Sequence, residues 1–158
     1  MNVVLLEPEI HWNTGNIGRT CLGLGATLHL VEPLGFSLDA KEVRRAGLDY
    51  WDKVDLKVHK SWTDLVLSVP NEQGLRFFSS DGLQDFWQAP YEPDCWLVFG
   101  KESVGLPAHI KEKFAAETYR IPHSDAIRSL NLSTAVGIVL YEAVRKQRAR
   151  AGRLPSRA

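Results

Sequence analysis

The sequence predicts an α/β fold, in which a mostly parallel sheet carries helices on both faces. Short apolar or β-branched segments alternate along the chain with segments of helical period. Strands joined by helical crossovers pair in parallel, and a parallel sheet needs cover on both faces. The predicted strands are 2–6, 27–31, 54–58, 75–79, 95–99 and 118–121.

The predicted helices lie between these strands and after the last of them, at 14–24, 39–46, 62–67, 107–114 and 132–148. The final helix has a wide apolar surface that needs extensive cover. A central place in the monomer and a subunit interface both provide such cover, and the periodicity does not choose between them. The long stretch 80–93 contains Gly82, Pro90 and Pro93, and this composition predicts a surface loop.

Length and composition predict one domain over residues 1–158. The chain has 158 residues, of which 44% are hydrophobic, enough for one ordinary core. It begins without a basic segment and contains no apolar run of about 20 residues, so we expect a cytoplasmic protein that has no membrane partner. Cys21 and Cys95 lie in apolar segments, which favours reduced, buried thiols. The five histidines are scattered without ligand spacing, so we expect no metal.

Charge is unevenly distributed, although the formal net charge is zero. Six of the 19 basic residues lie in residues 145–158, which contain no acid, so the first 144 residues carry 13 basic and 19 acidic side chains. The last ten residues, 149–158, are predicted to be a basic and frayed tail. Contact with phosphates and simple solvation both explain such a tail.

Three polar loops follow predicted strands at the edge where parallel sheets bind ligands. The first, 7–20, places small and polar residues at a helix start, where free backbone amides can bind an anion such as phosphate. Arg19 lies about one turn into that helix and can reach the same anion bidentately. In the simpler alternative, Asn13 or Thr14 caps the helix and Arg19 is solvated.

The second loop, 100–107, follows an apolar strand and contains Gly100 and Gly105. These glycines have P-loop spacing, but Leu106 and Pro107 replace the required Lys and Ser or Thr, which excludes a P-loop ATPase. The remaining interpretation is a tight glycine turn, which brings backbone close to a flat or bulky ligand. Glu102, in this turn, is a candidate partner for a cationic ligand group. Gly23 and Gly25 lie before a strand, not after one, which excludes a dinucleotide fingerprint.

The third segment, 121–135, runs from Ile121 through a polar loop to the apolar final helix. Ser129, Asn131 and Ser133 alternate with leucines directly before that helix. Small hydrogen-bonding side chains and free helix-start amides form a polar cup in an apolar setting. Asn131 or Ser133 can also be a plain helix N-cap.

Together, the three segments resemble the three motifs of the SPOUT superfamily of methyltransferases in order and spacing. The matching residues are Asn13-Thr14-Gly15-Asn16-Ile17-Gly18-Arg19, Phe99-Gly100-Lys101-Glu102-Ser103-Val104-Gly105-Leu106-Pro107, and Ile121-Pro122 followed by Ser129-Leu130-Asn131-Leu132-Ser133. Two further segments, 5–10 and 44–50, are most similar to those superfamily members that methylate the wobble ribose of tRNA. The resemblance implies a C-terminal trefoil knot, a rare exception to unknotted topology, and a homodimer.

The resemblance also implies a cofactor, S-adenosylmethionine, held largely by backbone groups of the second and third motifs. The cofactor-binding residues that it implies here are Phe78, Ser79, Gly100, Ile121, Ser129 and Leu130, and Glu102, the acidic candidate of the glycine turn, completes the predicted set.

The implied reaction is in-line transfer of a methyl group to the 2'-hydroxyl of the wobble nucleotide, a cytidine or uridine at position 34, in the tRNA anticodon stem-loop. No metal takes part, and catalysis is mostly positioning. Arg19, Asn131 and Ser133 are the implied catalytic residues. The implied RNA-binding residues are Arg19, Arg44, Arg45 and Tyr141, of which Tyr141 can instead contact the partner subunit. Two alternatives stay open, a ribosomal RNA substrate and a non-catalytic RNA-binding module.

Overall fold

A parallel sheet lies at the centre of the computed structural model, which describes residues 1–39 and 49–152. Within them the strands are β1 (Asn2–Leu6), β2 (Thr27–Val31), β3 (Leu56–His59), β4 (Leu75–Phe78), β5 (Gln84–Asp85), β6 (Trp96–Phe99) and β7 (Thr118–Arg120). They form one sheet in the order β3-β2-β1-β6-β4-β7-β5, and every pairing is parallel. The predicted α/β class and parallel sheet are confirmed.

The described α-helices are α1 (His11–Leu24), α2 (Trp62–Ser68), α3 (Ala108–Lys113) and α4 (Leu132–Arg150). Short 3-10 helices occupy Trp51–Lys53, Glu72–Gly74, Phe86–Gln88 and Ala115–Glu117. The helix predicted over 39–46 lies, apart from Asp39, outside the described residues. In residues 1–39 and 49–152, no helix has the length and apolar character needed to span a membrane.

Successive residues of the central strands point to opposite faces of the sheet, and each face buries a separate core. On one face Val3 and Leu5 pack with Ile17 of α1 and Val139 of α4. On the other face Val4 and Leu6 belong to a cluster with residues of α2 and α3. The wide apolar surface of α4 is thus covered within the monomer along the buried side of the helix.

The stretch 80–93 is not the surface loop that its composition predicts. It contains β5 and a 3-10 helix, and Phe86 and Tyr91 are buried in the core. The Tyr91 hydroxyl donates a hydrogen bond to the Phe86 carbonyl at 2.8 Å. β5 has only two residues, which is too short for any periodicity to indicate a strand. Its pairing with β7 comes from the tertiary fold.

The sheet order brings together the segments that follow four strands. β1, β6, β4 and β7 are consecutive neighbours, and all run in the same direction. Their carboxyl ends therefore lie side by side at one edge, as in other open parallel sheets that bind ligands there. The three motif loops follow three of these strands, β1, β6 and β7.

A buried pair of histidines links the neighbouring strands β2 and β3. Nε2 of His29 is 3.2 Å from the Asn2 side-chain oxygen, and Nδ1 of His29 is 2.9 Å from Nε2 of His59. Because the Asn2 oxygen can only accept, neutral His29 donates from Nε2 and accepts from His59. Burial, which is the main cause, and the nearby His59 lower the pKa of His29 to about 4.

We expect the free energy of unfolding to fall as the pH drops from about 6.5 towards 4. In that range unfolded His29 binds a proton that the folded protein excludes, so acid favours the unfolded state, whereas stability is fully present above pH 6.5. Denaturant titrations at pH 7.5 and 5.0 measure this loss. His29→Gln should reduce the loss of unfolding free energy between the two pH values. The control His109→Gln, at an exposed site, should leave this loss unchanged. Equal pH dependence in wild type and His29→Gln would contradict this assignment.

Candidate ligand site at the carboxyl edge of the sheet

A cavity of about 490 Å³ opens at the carboxyl edge of the sheet, within the usual range for small-molecule sites. Its walls come from the segments after β1, β4, β6 and β7, which are far apart in sequence. All the residues predicted to bind a cofactor line it, namely Phe78, Ser79, Gly100, Glu102, Ile121, Ser129 and Leu130. The structure thus brings the seven predicted residues together around one volume.

Gly100 forms a closed turn with Gly105 in one wall of the cavity. Lys101 and Gly105 form an isolated antiparallel bridge, and the Gly105 amide donates to the Lys101 carbonyl at 2.9 Å. A Cβ atom at Gly100 would lie 2.0 Å from the Gly105 carbonyl carbon, and Gly105 has a φ of +72°. Glycine is therefore required at both positions, and the turn presents backbone groups to the cavity.

Glu102 caps helix α1 from a different loop. α1 begins at His11, and its N-cap residue, Ile10, offers no side-chain acceptor. The Glu102 carboxylate instead accepts from the amides of Glu9 and Ile10, at 2.8 and 3.3 Å, and from the Asn13 side chain at 3.0 Å. A carboxylate satisfies free amides at a helix start and interacts favourably with the helix dipole.

This contact corrects two expectations for the first loop. The anion at the start of α1 is the carboxylate of Glu102, so the Glu9 and Ile10 amides are not free for a phosphate. Neither Asn13 nor Thr14 is the N-cap, because the helix begins earlier and buries both inside its first turns. The polar sequence before the helix gave no sign that its cap lies 92 residues away from Ile10.

Two further contacts fasten the first loop to the second. Nζ of Lys101 lies 2.9 Å from the Glu7 carboxylate, and this neighbour raises the pKa of Lys101. The Glu9 carboxylate accepts from the Ser103 hydroxyl and amide, both at 2.9 Å, and these bonds lower the pKa of Glu9. These contacts therefore join the two loops into one continuous wall.

Asn131 joins the third loop to the other two. Its side-chain oxygen accepts from the amides of Ser133 and Thr134, at 2.9 and 3.3 Å, so Asn131 is the N-cap of α4, as one alternative predicted. Its side-chain nitrogen donates to the Asn13 side chain at 3.0 Å. Because Asn13 in turn donates to Glu102, an unbroken chain of side-chain hydrogen bonds links all three motifs.

Ser133 extends this chain on the side away from the cavity. Its hydroxyl donates to the Asn131 oxygen at 2.8 Å and accepts from the Asn16 side chain at 3.1 Å. Asn131 lines the cavity, whereas Ser133 does not. Both residues thus hold the loops in place, and the catalytic role that the resemblance implies for them stays a prediction.

Arg19 does not reach the cavity of its own chain. It lies six residues after cavity-lining Asn13, which is about 9 Å along the axis of α1. Its guanidinium carbon is 5.5 Å from the centre of the Tyr50 ring, and the Tyr50 hydroxyl donates to the Gly15 carbonyl.

Tyr141, another predicted RNA-binding residue, is exposed on α4, also away from the cavity. The predicted RNA-binding residues Arg44 and Arg45 lie outside the described residues.

Several charged residues of the cavity wall were not predicted from the sequence. Asp81 accepts hydrogen bonds from Ser79 and from Nζ of Lys111, and these two donors lower the pKa of Asp81. Arg128 also lines the cavity. The position of Asp81 after β4, at the same edge as the motif loops, was the available signal, but the loop assignment of 80–93 concealed it.

The described part of the chain contains no group of three or more His, Cys, Asp or Glu residues arranged to hold a metal ion. Cys21 and Cys95 are free and buried, as predicted. Burial raises the pKa of Cys21 to about 12 and that of Cys95 to about 11. Both thiols are therefore protonated and unreactive at neutral pH.

Over the described residues, the fold and cavity define a small α/β protein with a candidate ligand site at the carboxyl edge of a parallel sheet. The chain belongs to the SpoU rRNA Methylase family, whose family model matches residues 1–141. This membership confirms the resemblance to the SPOUT methyltransferases.

Individual relatives agree with this assignment. The chain is 45% identical over 147 residues to the tRNA (cytidine(34)-2'-O)-methyltransferase of Burkholderia pseudomallei (strain 1106a), covering 92% of this chain and 94% of the relative. It is 42% identical, with a TM-score of 0.85, to a solved structure described as giving structural insights into the 2-OH methylation of C/U34 on tRNA, covering 94% and 97% of the two chains. An AdoMet-bound rRNA methyltransferase from Sinorhizobium meliloti is 27% identical, with a TM-score of 0.78, covering 92% of this chain and 56% of the other.

Replacing Glu102 with Ala should lower the free energy of unfolding by about 1–3 kcal/mol, since two helix-start amides and the Asn13 side chain lose their acceptor. Chemical denaturation measures the change. Glu112→Ala, which removes an exposed carboxylate of α3, is the matched control and should have little effect. A Glu102→Ala protein as stable as wild type would show that Glu102 is not the cap of α1.

Proposed function

We propose that the protein is an S-adenosylmethionine-dependent methyltransferase that methylates the ribose 2'-hydroxyl of nucleotide 34, a cytidine or uridine, in tRNA. The observation that carries the proposal is the single cavity around which the three motif loops converge. The relatives also support the proposal, because the descriptions of two similar proteins refer to methylation at position 34 of tRNA.

The cavity fits the cofactor in size and chemistry. Phe78, Ile121 and Leu130 offer apolar walls for a flat purine, and the Gly100 turn offers backbone where a side chain would not fit. Ser79 and Ser129 add small polar groups, as is usual where a few polar contacts orient a mostly apolar ligand. S-adenosylmethionine would supply the methyl group from its sulfonium. The AdoMet-bound relative supports this choice of cofactor.

The residues of this chain would act mainly by positioning the reactants. The hydrogen-bond chain from Glu102 through Asn13 to Asn131 fixes the three loops before any ligand binds, which lowers the entropic cost of alignment. Arg19 would bind a phosphate beside the target ribose bidentately. A guanidinium keeps its proton in proteins, so Arg19 would orient and neutralise the substrate and would not act as the base.

We further infer that the protein acts as a homodimer, because Arg19 lies outside the cavity of its own chain. A second copy can bring its Arg19 to this cavity, or the RNA can bridge the two sites. Ile138 and Tyr141 are exposed one turn apart on α4 and offer an apolar surface to a partner. Family membership also supports the C-terminal trefoil knot and a single domain, since the family model covers residues 1–141. We further propose that this domain extends over residues 1–158 and that the protein acts in the cytoplasm.

One alternative substrate, ribosomal RNA, has specific support. The name of the matched family refers to rRNA, and a similar structure is that of an rRNA methyltransferase. Purified protein with labelled S-adenosylmethionine should methylate tRNA transcripts that carry cytidine or uridine at position 34. The same transcripts with a 2'-deoxynucleotide at position 34 are the matched control and should receive no label. Label on ribosomal RNA alone would replace the proposal with the alternative, and no label on either RNA would refute both.

Arg19→Ala should reduce methyl transfer by about 100-fold or more, while S-adenosylmethionine binds with unchanged affinity, because Arg19 lies outside the cavity. Single-turnover assays and calorimetry measure the two effects. Arg19→Lys keeps the charge but loses the planar fork, so it should restore only part of the activity. Wild-type turnover in Arg19→Ala would refute the role, and lost cofactor affinity would place Arg19 in the cavity.

A further inference from the structure

Three aromatic rings form a row at the start of α1, which we term the aromatic row. It consists of Phe36, His11 and Trp12. The ring centroids of His11 and Trp12 are 4.3 Å apart, and those of His11 and Phe36 are 6.5 Å apart. Trp12 is 60% exposed, and His11 is also exposed. Contiguous exposed apolar patches rimmed by polar residues mark interaction sites, and the aromatic row is a candidate for such a patch.

Backbone contacts hold the aromatic row in place. The Gly35 amide donates to the Pro8 carbonyl at 2.9 Å, which brings Phe36 against the start of α1. The chains approach so closely that a Cβ atom at Gly35 would lie 2.6 Å from the Glu9 carbonyl oxygen. Glu102 caps the same helix start. The backbone that carries the row is therefore held in place, which lowers the entropic cost of ordering it when a ligand binds.

The start of α1, which carries two rings of the aromatic row, borders the cavity. Ile10 and Asn13, on either side of the His11–Trp12 pair in sequence, both line the cavity. Trp12, Asn16 and Arg19 are spaced by four and three residues, so they share one face of α1, and all three are exposed. This face thus offers an aromatic ring, an amide and a guanidinium in sequence, starting at the edge of the cavity.

We propose that the aromatic row is a stacking surface for an unpaired nucleobase of the RNA substrate, at or next to the nucleotide whose ribose enters the cavity. This inference rests on the proposed function. Proteins recognise unpaired bases of single-stranded RNA by stacking them on aromatic side chains. The row provides the stacking surface, and Arg19 on the same helix face provides a cation for the adjoining phosphates.

The composition of this face favours a nucleic acid over an apolar protein surface. A base needs one flat ring with a charged group beside it for the backbone, and Trp12 and Arg19 supply this combination, whereas the Asn16 amide already donates to Ser133. Stacking tolerates all bases, because each has a π-face. The row would therefore strengthen binding of the anticodon loop without selecting among cytidine, uridine and their neighbours.

Trp12→Ala should weaken binding of an anticodon stem-loop RNA by about tenfold to hundredfold, the usual cost of losing one stacked base. Trp12→Phe should restore most of the affinity. Trp87→Ala is the matched control, because Trp87 is 54% exposed and does not line the cavity. Affinity for S-adenosylmethionine, measured by calorimetry, should be unchanged in all three variants.

Abasic RNAs identify the stacked base. Three RNAs, each lacking the base at position 33, 34 or 35, are compared for their affinity. Wild type should bind one of the three more weakly than the complete RNA. The affinity of Trp12→Ala should not change when that same base is removed. Unchanged RNA affinity in Trp12→Ala would overturn the proposal. A shift of Trp12→Ala to monomers in sedimentation would also overturn it, since Trp12 would then be a subunit contact.

Failure of the proposed function can be distinguished from failure of the stacking proposal. If wild type methylates no nucleotide at position 34 but Trp12→Ala still binds RNA more weakly, the stacking surface stands and the reaction assignment falls.

Discussion

The carboxylate of Glu102 at the start of α1 is the contact on which the site depends. It supplies the cap that the sequence around His11 lacks, and it anchors Asn13, through which the third loop is also held. Without it, the amides of Glu9 and Ile10 would need another acceptor, such as water. The second motif is therefore both a wall of the cavity and the structural support of the first motif.

The sheet and the cavity could be predicted largely from the sequence, for a physical reason. Apolar runs such as Trp96–Phe99 are buried on both faces and produce a strong local signal. Parallel strands place their carboxyl ends together, so the polar segments that follow them had to meet. The resemblance then added the particular cofactor-binding positions, and the structure places all seven around one volume.

What the sequence missed depends on contacts between distant residues. β5 has two residues and exists through its pairing with β7. Asp81 was hidden in the same segment, and the buried His29–His59 pair arises from the pairing of β2 with β3. The start of α1 was misjudged because its cap comes from another loop. Arg19 shows the converse case, since its motif was recognised but its distance from the cavity becomes visible only in three dimensions.

The hydrogen bonds of the site also determine when it can exist. Asn13 and Asn131 are 118 residues apart in the chain, and Asn16 and Ser133 are 117 apart. Contacts over such separations carry the entropic cost of closing a long loop, and they need both ends of the chain to be present. During synthesis, the cavity cannot close until α4 has left the ribosome. An incomplete chain therefore has no assembled site, and ligand binding reports on completion of the whole fold.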